Sequence, residues 1–228
     1  MIEMWELVGE NDRRYSNFSW RTRMALRHKQ LEVQYRPVLL TDKASIGFSA
    51  GKTVPVIRDG DTVVRDSWAI AEYLEARYPD RPSLFGGDTG QALARFANHW
   101  VDRTLLAIAF PLLAGDALEI QCEEDRPYFG ALVERLTGLA PAALKGHQGR
   151  HSAHLAKAVD PARATLKRQP FLSGAQPAYA DYAVFSIYQW ARIVSPLELL
   201  ADDQPMRDWC ERMLDLNGGF ARDTPAFR

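Results

Sequence analysis

The spacing of apolar residues changes once along this chain, near residue 80, and the two sides predict different structures. Residues 2–8 and 33–39 are short apolar-rich runs of strand length, and residues 14–29 between them are rich in helix formers. A right-handed helical crossover places two consecutive strands parallel to each other. The chain is therefore predicted to begin with a strand, a helix and a parallel strand.

A hairpin and a second helix are predicted next. Strand-forming runs at residues 54–57 and 62–64 are separated by a turn that contains an Asp-Gly pair. This pair is a strong hairpin signal because both central residues of a type I′ turn need a positive φ. From Ser67 the apolar positions recur every three or four residues, which predicts a helix, and Pro79 ends it.

Residues 81–88 are predicted to be a linker between a small α/β domain at 1–80 and an all-helical domain at 89–228. Apolar side chains keep helical spacing over about four turns from Leu93 through Phe96 to Ile108, which predicts a helical stretch there. Residues 182–193 are apolar on nearly every face, which predicts a buried helix. Further helices are predicted at 128–139, 153–169 and 206–216, a bend or helix end at Pro111 and Gly115, and an exposed connection at 140–152.

Composition limits the classes of partner and the compartment. The chain has 28 Lys and Arg against 29 Asp and Glu, a formal net charge of -1, so nothing electrostatic favours nucleic acid or an anionic membrane. No apolar run approaches the ~18–20 residues that span a bilayer. The N-terminal segment is acidic where a signal peptide would be basic. Cys122 and Cys210 form no CxxC pair and lack metal-ligand spacing. We therefore expect a cytoplasmic protein without a bound metal.

The segment Ser16-Asn17-Phe18-Ser19-Trp20-Arg21 begins the first predicted helix and allows two interpretations of its serine. A serine before a helix commonly accepts a hydrogen bond from a free backbone N–H. The same end of a helix also presents free N–H donors and partial positive charge, which favour an anion such as a thiolate. The residues alone leave both interpretations open.

Three further motifs lie at the ends of predicted elements. Val54-Pro55 precedes the third strand, and such a bond is cis in only ~5–6% of cases in folded proteins. Asp66-Ser67 begins the second helix, where both residue types also serve as ordinary caps. Before the buried helix, Asp181 can accept bonds from backbone N–H groups, although Ala178 lacks the side chain that would complete a capping box.

In this order and spacing, the elements and motifs resemble those of the cytosolic glutathione transferases over the whole chain. The first-helix motif is similar to that of the serine-type members, in particular the zeta type and the bacterial lignin β-etherases. The resemblance implies a thioredoxin-like N-terminal domain, an all-helical C-terminal domain, glutathione as co-substrate, a hydrophobic or aromatic electrophile and a homodimer. Cleavage of β-aryl ethers is the narrower hypothesis, and a glutathione-dependent isomerase or a non-catalytic binding protein are the alternatives.

The resemblance also implies roles for individual residues. Ser16 is the catalytic residue that activates the glutathione thiol, and a cis-Pro55 lets the backbone of Val54 pair with the cysteinyl part of glutathione. The implied glutathione site further includes Asn17, Asp66, Ser67 and Lys52, with Lys43 as the alternative to Lys52 for the glycyl carboxylate. The implied electrophile pocket includes Phe18 and Trp20, with Trp100, Phe220 and Phe227 as further candidates.

The energy that this mechanism requires is modest. A free thiol with a pKa near ~8.5 is about 3% thiolate at neutral pH, and a pKa of roughly 6.5 requires ~2.7 kcal/mol of selective stabilisation. A charge-assisted hydrogen bond from Ser16 supplies about 1.5–3 kcal/mol, and the helix terminus adds ~0.3–1 kcal/mol. Ser19 competes for the role but is expected to point into helix packing. No cysteine lies near residues 15–18, so dithiol exchange is not expected.

Overall fold

The computed structural model describes residues 1–51 and 53–227. Its N-terminal part contains a four-stranded mixed sheet in the order β2-β1-β3-β4. The first two strands are parallel, and the third is antiparallel to both the first and the fourth, so the predicted crossover and hairpin are confirmed. The strands are β1 (Ile2–Leu7), β2 (Val33–Val38), β3 (Val56–Asp59) and β4 (Thr62–Arg65).

Helices account for most of the remaining chain. Two of them belong to the sheet domain, and the others follow the linker. They are α1 (Asn17–His28), α2 (Ser67–Arg77), α3 (Asp88–Trp100), α4 (Leu106–Glu119), α5 (Arg126–Thr137), α6 (Pro141–Lys145), α7 (Gln148–Ala158), α8 (Asp160–Leu166), α9 (Tyr179–Val194) and α10 (Gln204–Gly219). No helix of the described chain has both the length and the apolar character needed to cross a membrane.

The two faces of the sheet bury different residues. Met4 and Ile57 belong to the main core, together with apolar residues of α1 and α2. Trp5 follows Met4 in β1, and Val56 precedes Ile57 in β3. Both pack on the other face of the sheet, in a separate cluster with Ile46. This alternation follows from the two-residue period of a strand.

Two expectations for the helical domain were wrong in part. Residues 140–152 were expected to be an exposed connection, but they contain α6 and the start of α7, and Leu144 is buried. Pro111 does not end a helix, because α4 continues through it to Glu119. The residues just after Pro111, Leu112 and Leu113, are buried in the core, so tertiary packing maintains the helix despite the missing N–H.

The apolar face predicted for α3 is only partly in the core. Leu93 is 65% exposed and Phe96 is 74% exposed. The buried residues of α3 are Ala94 and Asn98, and Asn98 accepts a hydrogen bond from Arg21 of α1. Packing against α9, together with this hydrogen bond from α1, buries one side of α3 and leaves an apolar strip on the outside.

The first helix is bound firmly to the helical domain. The buried guanidinium of Arg21 lies 2.7 Å from the Asp102 carboxylate and donates to Ser186 Oγ at 3.2 Å. At the other end of α1, His28 contacts the Tyr182 hydroxyl (2.6 Å) and the Ser83 carbonyl (2.9 Å). Burial lowers the pKa of His28, so the imidazole stays neutral at physiological pH. Both domains thus set the position of the helix that Ser16 precedes.

Asp181 organises the entrance to α9. Its buried carboxylate accepts hydrogen bonds from the backbone N–H groups of Leu172 (2.7 Å), Ser173 (3.0 Å) and Ala178 (3.2 Å), and from Trp209 Nε1 (2.9 Å). The expectation that Asp181 accepts from backbone groups is confirmed. Ala178 offers no side-chain acceptor in return, so half of the capping box is missing.

Candidate active site

A cavity of about 670 Å³ lies between the sheet domain and the helical domain. It brings together predicted site residues of the first domain that lie up to about fifty positions apart in the sequence, from Ser16 to Ser67. The predicted site residues that line it are Ser16, Asn17, Phe18, Lys43, Val54, Pro55, Asp66 and Ser67.

Ser16 is the N-cap of α1, and its hydroxyl oxygen accepts a hydrogen bond from the Ser19 backbone N–H at 3.2 Å. Its own O–H proton is still free to be donated, so the capping role and a role toward an anion are compatible. Asn17 is buried beside it, and among the described residues its side-chain Nδ2 has no hydrogen-bond partner. The start of α1 therefore brings the Ser16 hydroxyl and the positive end of the helix to the cavity, whereas Asn17 Nδ2 is itself buried.

The Val54–Pro55 peptide bond is cis, as the resemblance implies. Val54 is half-buried and lines the cavity. The Pro55 carbonyl accepts a hydrogen bond from the backbone N–H of Asp66 at 3.3 Å. This bond holds the start of α2 against the segment that contains Val54.

Asp66 caps α2 in an unusual backbone conformation. Its φ is 75°, a region that residues other than glycine rarely adopt. The side chain accepts hydrogen bonds from the backbone N–H groups of Trp68 and Ala69, both at 3.0 Å and both on Oδ1. Oδ2 has no partner among the described residues. Such strain is typical of binding sites, where the surrounding structure maintains it.

Trp20 and Ser19 do not lie with the other candidates. Trp20 is fully buried, its Nε1 donates to the Arg14 carbonyl at 2.6 Å, and its ring lies 5.9 Å from that of Phe220. The expectation that it lines the electrophile pocket is therefore wrong; it holds the segment that leads to Ser16. Ser19 is also buried in packing, as expected.

The other aromatic candidates are elsewhere too. Trp100 lines a second cavity, of about 970 Å³, and none of the described residues predicted for catalysis or glutathione binding lines it. Phe220 packs against Trp20, and Phe227 lies under the Arg13 guanidinium, 4.3 Å from its ring centroid. Lys52 lies outside the described residues.

The helical domain contributes residues that the sequence analysis did not identify. Phe110 and Trp190 line the cavity as a stacked pair, with ring centroids 6.3 Å apart and planes at 28°. Tyr15 also lines it, but its hydroxyl donates to Gln121 Oε1 at 2.7 Å, and burial raises its pKa. Helical periodicity indicates apolar faces on these elements but cannot indicate which of them turns toward the first domain.

The charged residues of the cavity are mostly cationic. Lys43, Arg65 and Arg135 line it, whereas Asp66 is its one acidic side chain among the described residues. The Arg65 guanidinium donates to the Ala50 carbonyl at 2.6 Å, which leaves its charge uncompensated. Partial burial lowers the pKa of Lys43, and the nearby Asp125 carboxylate offsets only part of this effect. The cavity therefore favours an anionic ligand. No cluster able to hold a metal ion occurs in the described part of the chain.

The fold and the cavity define a two-domain protein with a cationic cleft between a βαβ-ββα sheet domain and a helical domain. Residues 12–82 match the family model of the glutathione S-transferase N-terminal domain, and residues 92–214 match that of the C-terminal domain. The chain belongs to the glutathione S-transferase family.

Glutathione S-transferase Z2 of Arabidopsis thaliana is 40% identical over 74 residues, covering 30% of this chain and 33% of that protein. A probable maleylacetoacetate isomerase of Caenorhabditis elegans is 31% identical over 147 residues, covering 60% and 66%.

Solved structures agree on the architecture. A glutathione S-transferase of Ceriporiopsis subvermispora, in complex with glutathione, superposes with a TM-score of 0.79 at 19% identity, covering 98% of this chain and 94% of that one. The thioredoxin-like N-terminal domain and the helical C-terminal domain are thereby confirmed. The chain matches only part of the length of its two relatives, 33% of the Arabidopsis thaliana transferase and 66% of the Caenorhabditis elegans protein.

Proposed function

We propose that this chain is a glutathione S-transferase in which the Ser16 hydroxyl donates to the glutathione sulfur. The observation that supports this proposal most directly is the shared cavity of Ser16, Val54, Asp66 and Ser67. These residues come from the starts of two helices and from the segment before a strand. Helix termini and an open backbone edge are suited to a charged, extended peptide.

Each part of glutathione has a partner in this proposal. The Val54 backbone pairs with the cysteinyl unit as an added strand would. The Asp66 carboxylate binds the γ-glutamyl ammonium, and the start of α2 at Ser67 binds the γ-glutamyl carboxylate. Asn17 donates to the peptide, and Lys43 or Lys52 binds the glycyl carboxylate.

The proposed reaction needs no group beyond these side chains. The thiol proton passes to solvent, and the thiolate remains as acceptor of the Ser16 O–H hydrogen bond. Sulfur then forms a bond to an electrophilic carbon, and the leaving group departs with its electron pair. The stacked Phe110 and Trp190, with Phe18, favour an aromatic or other hydrophobic electrophile. Cleavage of β-aryl ethers is one reaction of this type.

Isomerisation is the second candidate, because one relative is named a probable maleylacetoacetate isomerase. The test is retention on immobilised glutathione, followed by glutathione-dependent turnover of a halogenated aromatic, a β-aryl ether and an isomerisable diketo acid. We expect retention and turnover of an aromatic substrate. Retention without any turnover would favour a binding protein, and absence of retention would contradict the glutathione site itself. A cytoplasmic location remains a prediction.

We further propose a homodimer that covers the exposed apolar strip of α3. Leu93 and Phe96 support it, because exposed apolar side chains on adjacent turns mark interaction surfaces. The resemblance to a family that usually forms homodimers supports a second copy as the partner.

Replacing Phe96 with Glu is expected to weaken this dimer about 100-fold or more, because a charge would enter an apolar interface. Sedimentation velocity over a range of protein concentrations measures the change. The matched control is Leu136→Glu on α5, where the wild-type side chain is 60% exposed, and it should stay dimeric. A monomeric parent protein, or a Phe96→Glu variant that dimerises normally, would refute the proposal.

A further inference from the structure

The helical wall of the cavity carries a cation that the proposed glutathione site does not use. Tyr128, Leu132 and Arg135 of α5 all line the cavity. They are spaced four and three residues apart, so they lie one above another on a single face of the helix. This face ends in the guanidinium of Arg135.

Within the described chain, Arg135 has no ion-pair partner. The cavity's carboxylate, Asp66, caps the distant start of α2, and its Oδ1 is occupied by the N–H groups of Trp68 and Ala69. Lys43 lies near the other end of α5, with its Nζ 5.7 Å from the ring centroid of Tyr128. Arg135 therefore has a full positive charge that faces the cleft without a counter-charge.

Lys43 and Arg135 lie beside different ends of the α5 face. Seven residues of helix separate Tyr128, beside Lys43, from Arg135, which is about 10 Å along the axis. The N-terminal end of α5 is bound to the sheet domain, because Asp125 accepts hydrogen bonds from the backbone N–H groups of Leu40 (2.7 Å) and Thr41 (2.9 Å). Lys43 thus lies at the glutathione end of the wall, and Arg135 lies at the far end.

Apolar side chains occupy the space between these ends. Leu132 lies between Tyr128 and Arg135 on this face of α5, and the stacked pair of Phe110 and Trp190 lines the same cavity. A ligand in this cavity can therefore contact an aromatic surface and the guanidinium of Arg135 together. Such an arrangement recognises a planar apolar body with an anionic group.

We propose that the electrophile of this protein is an aromatic acid, whose carboxylate pairs with Arg135 while its ring packs on Phe110 and Trp190. This inference rests on the proposed function, since it assigns the second substrate of the same site. Arg135 acts in specificity and takes no part in bond making. The glutathione sulfur forms the new bond to carbon, and the leaving group departs with its electron pair.

The test compares two probes that differ by one charge, S-benzylglutathione and S-(4-carboxybenzyl)glutathione, by calorimetric titration of the full chain. We expect the acid probe to bind about fivefold more tightly, a modest ratio because Arg135 is exposed and its pair is screened. Arg135→Leu should lower the ratio to about one without weakening the neutral probe. Arg135→Lys should restore much of the preference for the acid probe, and raised salt should reduce that preference.

Arg168→Leu is the matched control, because Arg168 is also exposed but does not line the cavity. The ratio of the two probes' affinities for this variant should equal the ratio for the parent protein. Equal binding of both probes to the parent, or a ratio that Arg135→Leu leaves unchanged, would overturn the inference while the glutathione site stands. Failure of both probes to bind would instead contradict the proposed function, and the inference with it. Binding of the neutral probe by the Arg135 variants reports that they are folded.

Discussion

Replacement of Ser16 by alanine is expected to raise the pKa of the bound glutathione thiol from roughly 6.5 to near its solution value of ~8.5. The lost hydroxyl is the donor proposed to stabilise the thiolate by about 1.5–3 kcal/mol. At pH 7 the expected change in pKa lowers the thiolate fraction from about three quarters to about 3%, so kcat/KM should decrease roughly 25-fold. The ultraviolet absorbance of the thiolate, titrated against pH with glutathione bound, measures the pKa directly. The affinity for glutathione should change much less, because the other contacts remain.

Two variants separate this effect from loss of the helix cap. The Ser16 oxygen also accepts from the Ser19 N–H, so alanine should cost about 1 kcal/mol of folding stability. Ser16→Thr keeps both the cap and the hydroxyl and should retain a lowered thiol pKa. Ser19→Ala, one helical turn later, should leave the thiol pKa unchanged. A Ser16→Ala protein with the parent's thiol pKa would exclude Ser16 from the mechanism.

Replacement of Asp181 by alanine is expected to lower the free energy of unfolding by about 3–5 kcal/mol. The buried carboxylate accepts four hydrogen bonds, and its removal leaves the N–H groups of Leu172, Ser173 and Ala178, together with that of Trp209, without their acceptor. Since small proteins have only about 5–15 kcal/mol of stability in total, this is a large fraction of it. Urea unfolding at one fixed protein concentration measures the loss.

Two further substitutions keep this prediction testable if the alanine variant does not accumulate. Asp181→Asn retains one acceptor oxygen and should lose less, about 1–3 kcal/mol. Ala178→Ser supplies the missing half of the capping box and should add about 0.5–1 kcal/mol. A loss below 1 kcal/mol for Asp181→Ala would show that these hydrogen bonds do not determine the stability of the α9 entrance.

The parts of the candidate site that depend on short-range interactions along the chain could be predicted from the sequence. Ser16 and Asp66 cap helices because their short polar side chains reach the free N–H groups of the first turn. The Asp-Gly turn and the alternating runs around it likewise determine the hairpin within a few residues. Prediction was wrong for Trp20, because a tryptophan near a site can equally turn into the core, and its Nε1 finds the Arg14 carbonyl there.

The sequence by itself therefore determined the order of strands and helices in the first domain, the helical character of the second domain and the polar groups at the helix starts, since these depend on residues close together in the chain. Only the tertiary structure decided that Phe110, Arg135 and Trp190 share one cavity with Ser16, and that the outer strip of α3 stays exposed. Periodicity shows that a helix has an apolar side but carries no information about its neighbour. The packing of α9 against α1 and α3 supplies that information, because each side of a helix is buried only where another element covers it.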